Sequence, residues 1–134
     1  MGKRKGHWPD LIKVQPMDWQ VFIVRPSSLA AFSEMRLSIG DDPVQVIADN
    51  QMWEDGLKSG GAMFSAVNTN YILALPDEWN DELVYHEALH CASRLWHDAG
   101  AQLKLPRNDE VLTYTQGHIV KLLKQKFYKE QVKK

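Results

Sequence analysis

Between Asn80 and Ala99 the chain carries the pattern of one long helix that is apolar around most of its circumference. At 100° per residue, Leu83, His86, Glu87, His90 and Arg94 fall within about a quarter turn, and Val84, Tyr85, Ala88, Leu89, Cys91, Ala92, Leu95 and Trp96 lie on the rest of the circumference. Such a helix needs cover on most of its sides, so the remainder of a 134-residue chain has to pack around it. Its ends are marked. Asn80 is placed as N-cap, Asp81 and Glu82 stand in the first turn where the helix dipole favours them, and Gly100 lies just past the end.

The other elements follow from shorter signals. Residues 1 to 20, punctuated by Pro9 and Pro16, read as an irregular lead-in. Val21 to Val24 is a β-rich run, and Ser27 or Ser28 can cap a helix over Leu29 to Leu37. After the turn at Gly40 to Pro43, Val44 to Ala48 is expected as a strand. Asn50 to Gly61, with Asp55-Gly56 and Ser59-Gly60-Gly61, is expected as a loop. Ala62 to Val67 and Tyr71 to Leu75, separated by Asn68-Thr69-Asn70, suggest a hairpin. A last helix is expected from near Asn108 to about Tyr128, and residues 129–134 as a frayed basic tail. The expected fold is a single α+β domain over residues 1–134, with a short mixed or antiparallel sheet packed on the helix from Asn80 and on the C-terminal helix.

The stripe on the long helix is where chemistry can sit. Side chains four apart on a helix project from one face, so His86 and His90 can grip one ion, as zinc asks of nitrogen ligands, with Glu87 beside them as general base. A catalytic zinc takes three protein ligands and keeps one position open. Glu110 is the candidate third ligand, 20 residues after His90 at the start of the next helix, with Gly100 and Pro106 available to turn the chain back. His97 shares the angular face but sits about 10 Å further along the axis than His90, too far for the same ion unless the helix breaks. Cys91 lies on the apolar arc and reads as a small core residue.

In the segment His86-Glu87-Ala88-Leu89-His90, followed by 19 intervening residues and Glu110, the chain resembles the zincin metallopeptidases, and the spacing is that of the gluzincin branch. The metzincin pattern would require Gly at 93 and His at 96, where Ser93 and Trp96 stand. A looser likeness runs to small phage and prophage proteins and to bacterial proteases that cleave repressors, carried by Asp109 to Gly117 and covering about residues 62 to 125. The resemblance implies that His86, His90 and Glu110 hold Zn2+, that Glu87 is the base, and that the substrate is a protein or peptide. Tyr114, four residues after Glu110, can steady an oxyanion or simply pack. His118 can assist the transition state or stand on the surface. Gly117 can be small so that two helices approach. Arg94 can support a ligand or a substrate carboxylate, or form a solvated salt bridge. Either strand of the hairpin can offer its edge to an extended peptide, and Trp53, Trp79 and Trp96 read as core or lid anchors.

Net charge and cysteine count narrow the alternatives. The formal charge is −1, so no global field draws nucleic acid or anionic lipid, although Lys3, Arg4 and Lys5 at one end and Lys121, Lys124, Lys126, Lys129, Lys133 and Lys134 at the other are basic. One cysteine permits no intrachain disulfide. Gly6 to Asp10 is not the apolar core of a signal peptide, no run approaches a membrane span, and a cytoplasmic protein is expected. Two rival functions remain: a non-catalytic, phage-type protein that uses a zincin fold to bind a partner, and a nucleic-acid-associated protease guided by the basic ends.

Overall fold

A computed structural model, described over residues 10–67, 70–100 and 109–128, has an α+β architecture of four helices and a four-stranded mixed sheet. In chain order the elements are β1 (Leu11–Val14), β2 (Trp19–Val24), α1 (Leu29–Ser38), α2 (Pro43–Lys58), β3 (Met63–Val67), β4 (Asn70–Ala74), α3 (Asp81–Asp98) and α4 (Asp109–Phe127). The sheet order is β1-β2-β4-β3. β1 and β2 pair antiparallel, as do β3 and β4, while β2 and β4 lie parallel with Val21 opposite Tyr71 and Ile23 opposite Leu73. A parallel pair needs a long crossover, and α1, α2 and β3 together supply it.

Alternation along the central strands gives the sheet two apolar faces. Val21, Ile23, Leu73 and Leu75 pack with Val84, Ala88, Cys91, Ala92 and Leu95 of α3 and Ile119, Val120 and Leu123 of α4. Val24, Ile72 and Ala74 pack on the other side with Leu29, Phe32 and Trp53 of α1 and α2. The sheet is thus sandwiched, with α3 and α4 on one face and α1 and α2 on the other. α3 begins where expected, Asn80 accepting a hydrogen bond from the Leu83 amide at 3.1 Å, and Gly100 beyond its end has φ +87°.

The stretch from Val44 to Gly61 differs from the expectation of a strand and then a loop: Pro43 to Lys58 is one helix. Pro43 takes the first turn, where a missing N–H costs nothing, and Asp42 caps by accepting from the Gln45 amide at 3.2 Å. Its buried residues, Val46, Asp49 and Trp53, recur at helical spacing, whereas Val44 and Ile47 face outward and produce an apolar run that mimics a strand. Gly56 is not a turn residue but a close approach, since a Cβ there would lie 2.5 Å from Met63 Cε. The helix stops at Ser59-Gly60, with Gly60 at φ +84°.

Residues 10 to 20 are not all irregular either. Ile12 and Val14 are buried and Lys13 is exposed, a two-residue alternation long enough for β1 to pair with β2. The hairpin of β3 and β4 forms as expected. Residues 68 and 69 between them, residues 1–9, residues 101–108 with the expected helix start near Asn108, and residues 129–134 lie outside the described residues. Among the described residues, no helix is long and apolar enough to cross a membrane.

α1 and α2 are joined by charge as well as by packing. The Arg36 guanidinium, 4% exposed, lies 2.8 Å from Asp41 and 2.8 Å from Asp49. Burial works against its charge, but the hydrogen bonds to the two carboxylates win and its pKa is raised. Gln45 donates to the second oxygen of Asp49 at 2.9 Å. Removing one partner of a buried pair leaves the other charge poorly compensated, so Asp49→Ala is expected to cost about 3 kcal/mol. Urea unfolding should show a lower midpoint at unchanged slope; an unaltered midpoint would mean that Asp41 alone satisfies Arg36.

Candidate metal centre

Packing decides which way α3 faces. With Val84, Ala88, Cys91, Ala92 and Leu95 turned into the core, His86 and His90 are left on the outer side and Glu87 at the boundary between core and solvent. The two imidazoles converge: Nε2 of His86 and Nε2 of His90 are 3.1 Å apart, with the rings edge to face at 4.7 Å between centroids. Two nitrogens bound tetrahedrally at ~2.0–2.1 Å would be separated by about 3.3 Å, so this spacing fits a shared zinc ion. Glu87 is only 8% exposed, and its Oε2 lies 4.0 Å from His86 Nε2. No described residue donates a hydrogen bond to its carboxylate, and neither of its oxygens is sealed from the surface. A base in that state has lone pairs free for a proton from water. Cys91 points the opposite way; burial pushes its thiol up to about 12, so the thiolate that a metal requires is not formed near neutral pH.

Glu87 and His90 open into a hollow of ≈ 560 Å³ between α3 and β3, the strand at one edge of the sheet. Met63 and Phe64 supply its β3 wall, and Ser93, Arg94 and His97 continue it along α3. Arg94 is held in place. Its Nε sits 3.1 Å from both oxygens of Asp98, and Asp98 accepts the Tyr71 hydroxyl of β4 at 2.9 Å. That hydroxyl bond, ahead of the Arg94 guanidinium, lowers the pKa of Asp98; burial first, then the bond to Asp98, raises that of Tyr71. Tyr71 therefore stays a donor and Asp98 an acceptor.

Glu110, Tyr114 and His118 share one face of α4, as their spacing predicts, but that face lines a different hollow of ≈ 810 Å³ together with Gln15, Pro16 and Trp96. α4 packs along α3. Gln116 donates to the Tyr85 carbonyl at 2.8 Å and Tyr128 to the Pro76 carbonyl at 2.6 Å. Trp96 meets Thr115 at 3.0 Å and stacks edge-on against Trp19. His118 accepts the Gln15 amide at its Nε2, 3.1 Å, which ties α4 to the β1–β2 turn and sets the proton on Nδ1. Tyr114 is 80% exposed. Among the described residues no third His, Cys, Asp or Glu joins His86 and His90 in a metal-sized cluster; residues 101–108 and the Asp109 side chain lie outside that description.

Three smaller expectations resolve here. Gly117 does not serve helix approach, because a Cβ there would meet nothing within 4 Å. Trp53 is a core residue, and Trp79 packs on Tyr128 beneath Lys124. The hold of Tyr71 on Asp98 was not foreseen; Arg94 and Asp98 at i, i+4 were visible in the chain, but nothing in it pointed to the strand residue.

No family model, no curated protein and no solved structure matches the chain, so the chemistry of these side chains has to carry the functional reading. Zinc affinity is expected to depend on both imidazoles. His86→Ala and His90→Ala should each lower it by more than the ~10–100-fold typical of losing an outer-shell partner. Calorimetric titration of the metal-free protein measures this, and either variant binding zinc as tightly as the parent would remove the site.

Proposed function

We propose that the protein is a zinc-dependent metallopeptidase that hydrolyses a peptide bond in a peptide or protein substrate, with Glu87 as general base. The observation that supports this most is the pair of imidazole nitrogens 3.1 Å apart beside a nearly buried carboxylate whose oxygens remain open to a hollow. His86 and His90 would hold the ion as neutral imidazoles. Zinc, when bound, would supply Lewis acidity that lowers the pKa of bound water toward ~7 and polarises a carbonyl. Glu87 takes the proton from the attacking water onto its carboxylate and delivers it to the leaving amide nitrogen. Its shallow burial matters here, because an ion pair or a hydrogen-bond donor would occupy the lone pairs needed for that transfer.

Glu110 as third ligand rests on the gluzincin-like spacing alone, and its location in the second hollow lends that assignment no support. The part of Tyr114 and His118 in the reaction rests on the same resemblance. The substrate reading has better support. β3 is a sheet edge alongside Glu87 and His90, and an extended peptide can add to such an edge with its backbone beside the base.

Replacing Glu87 by Gln keeps the size and the metal ligands but removes the base. Zinc content is expected to stay at the parent level while turnover falls by ~10²–10⁴-fold or more. Metal analysis paired with an assay on a general protein substrate reads both. Turnover persisting undiminished would sink the mechanism, whereas a protein that uses this fold only to hold a partner would keep its biological effect in Glu87→Gln. In Glu110→Ala, loss of zinc is the expected result, and unchanged zinc content would move the third ligand elsewhere.

A further inference from the structure

Arg94 follows His90 by one helical turn and lines the same hollow. Its i, i+4 pair with Asp98 is exposed and by itself adds little to stability. The pair is made through Nε alone, and no described residue accepts a hydrogen bond from either terminal nitrogen of Arg94. Asp98 is in turn gripped from the sheet by the Tyr71 hydroxyl, so strand β4 fixes the orientation of a cation on α3. The result is a guanidinium braced along one edge with its terminal N–H groups unused by any described residue. That terminal fork is the part of arginine that matches a carboxylate in two parallel hydrogen bonds.

The geometry points to Arg94 as a specificity-determining residue that receives a carboxylate of the substrate in this hollow, an inference that rests on the peptidase reading above. Arg94 stands about 6 Å beyond His90 along the helix axis, and an extended peptide advances ~3.3 Å per residue, so the carboxylate belongs one or two residues from the bond cleaved. Two sources supply such a group: an Asp or Glu side chain, or the free C-terminus of the peptide. The charged and titratable groups facing the hollow besides Arg94 are Glu87, His90 and His97. Glu87 is seven residues back, about 10 Å along the axis, where its repulsion of a second carboxylate is largely screened at physiological salt.

Fluorescein-labelled peptides of one scaffold separate the possibilities. One has Glu at a scanned position and a C-terminal amide, a second has Gln there with the amide, a third has Gln with a free C-terminal carboxylate, and a fourth has Lys with the amide. Binding is read by anisotropy on the zinc-loaded Glu87→Gln chain, which does not consume the probe, and cleavage on the zinc-loaded parent by mass spectrometry. The Glu or free-carboxylate peptide is expected to bind at least ~10-fold more tightly than the neutral one, the size of a charge-assisted hydrogen-bonded contact. Whichever of the two wins identifies the source of the carboxylate. Adding Arg94→Ala should erase the preference, and adding Arg94→Glu should turn it toward the Lys peptide, an inversion that loss of folding cannot imitate. Equal binding of all four peptides, no binding of any, or a preference that survives both substitutions overturns the assignment. Cleavage by the parent with no acidic preference would leave the peptidase standing without this specificity. Acid-dependent binding with no cleavage by the parent would do the reverse.

Discussion

The site depends on how α3 is rotated against the sheet. Val84, Ala88, Cys91, Ala92 and Leu95 form a buried face against Val21, Ile23, Leu73 and Leu75, and no other rotation of the helix buries them together. Small residues at 88, 91 and 92 let the helix sit close to its neighbours, and a larger side chain at any of them would have to displace core that is already filled. With the rotation set, three positions of the same two turns acquire different environments. His86 and His90 stand in solvent with converging nitrogens, and Glu87, 100° around from His86, is drawn to the margin of the core. A general base benefits from that margin, where water is scarce but not excluded.

The part of this that was legible in the chain is the part governed by local periodicity. α3 and its Asn80 cap could be read because apolar residues recur at helical spacing beside a polar stripe, although Tyr85 and Leu89 prove exposed and the buried face is narrower than the apolar one, and the β3–β4 hairpin because two apolar runs flank polar turn formers. α2 could not. Val44 and Ile47 are β-branched and face outward, so the apolar run at Val44 to Ala48 says nothing about the buried side, which is marked instead by Val46, Asp49 and Trp53. Asp49 is polar and is buried only because Arg36 reaches it from α1, a pairing across 13 residues that no local window contains. Gly56 imitates a turn residue for a tertiary reason, the Met63 side chain on β3.

At the site the same division holds. The register of His86, Glu87 and His90 is a property of one helix and could be derived from spacing. The direction of Glu110 is a property of two helices and their connection, and spacing alone says how many residues intervene, not where the second helix points. Arg94 lies between these cases. Its partner Asp98 is local, but the donor that steadies Asp98, the Tyr71 hydroxyl, comes from a strand 27 residues earlier.

α4 also has an uneven grip on the fold, and this bears on the cage around a metal. From Thr115 onward it is anchored by buried Ile119, Val120, Leu123 and the bonds of Thr115, Gln116 and Tyr128 to the body of the protein. Between Glu110 and Tyr114 no residue is buried. The first turn of α4, where the resemblance would put the third ligand, is therefore held by partly buried contacts such as that of Leu112 and not by fully buried side chains among the described residues. Zinc affinity gained through that turn would have to outweigh only the partly buried packing of Leu112 against the core. The pair on α3 starts from a backbone that the core fixes, because the helix cannot turn without unpacking its own buried face. A zinc centre of the proposed kind would have two ligands on the packed helix and a third whose position the ion itself could help to select.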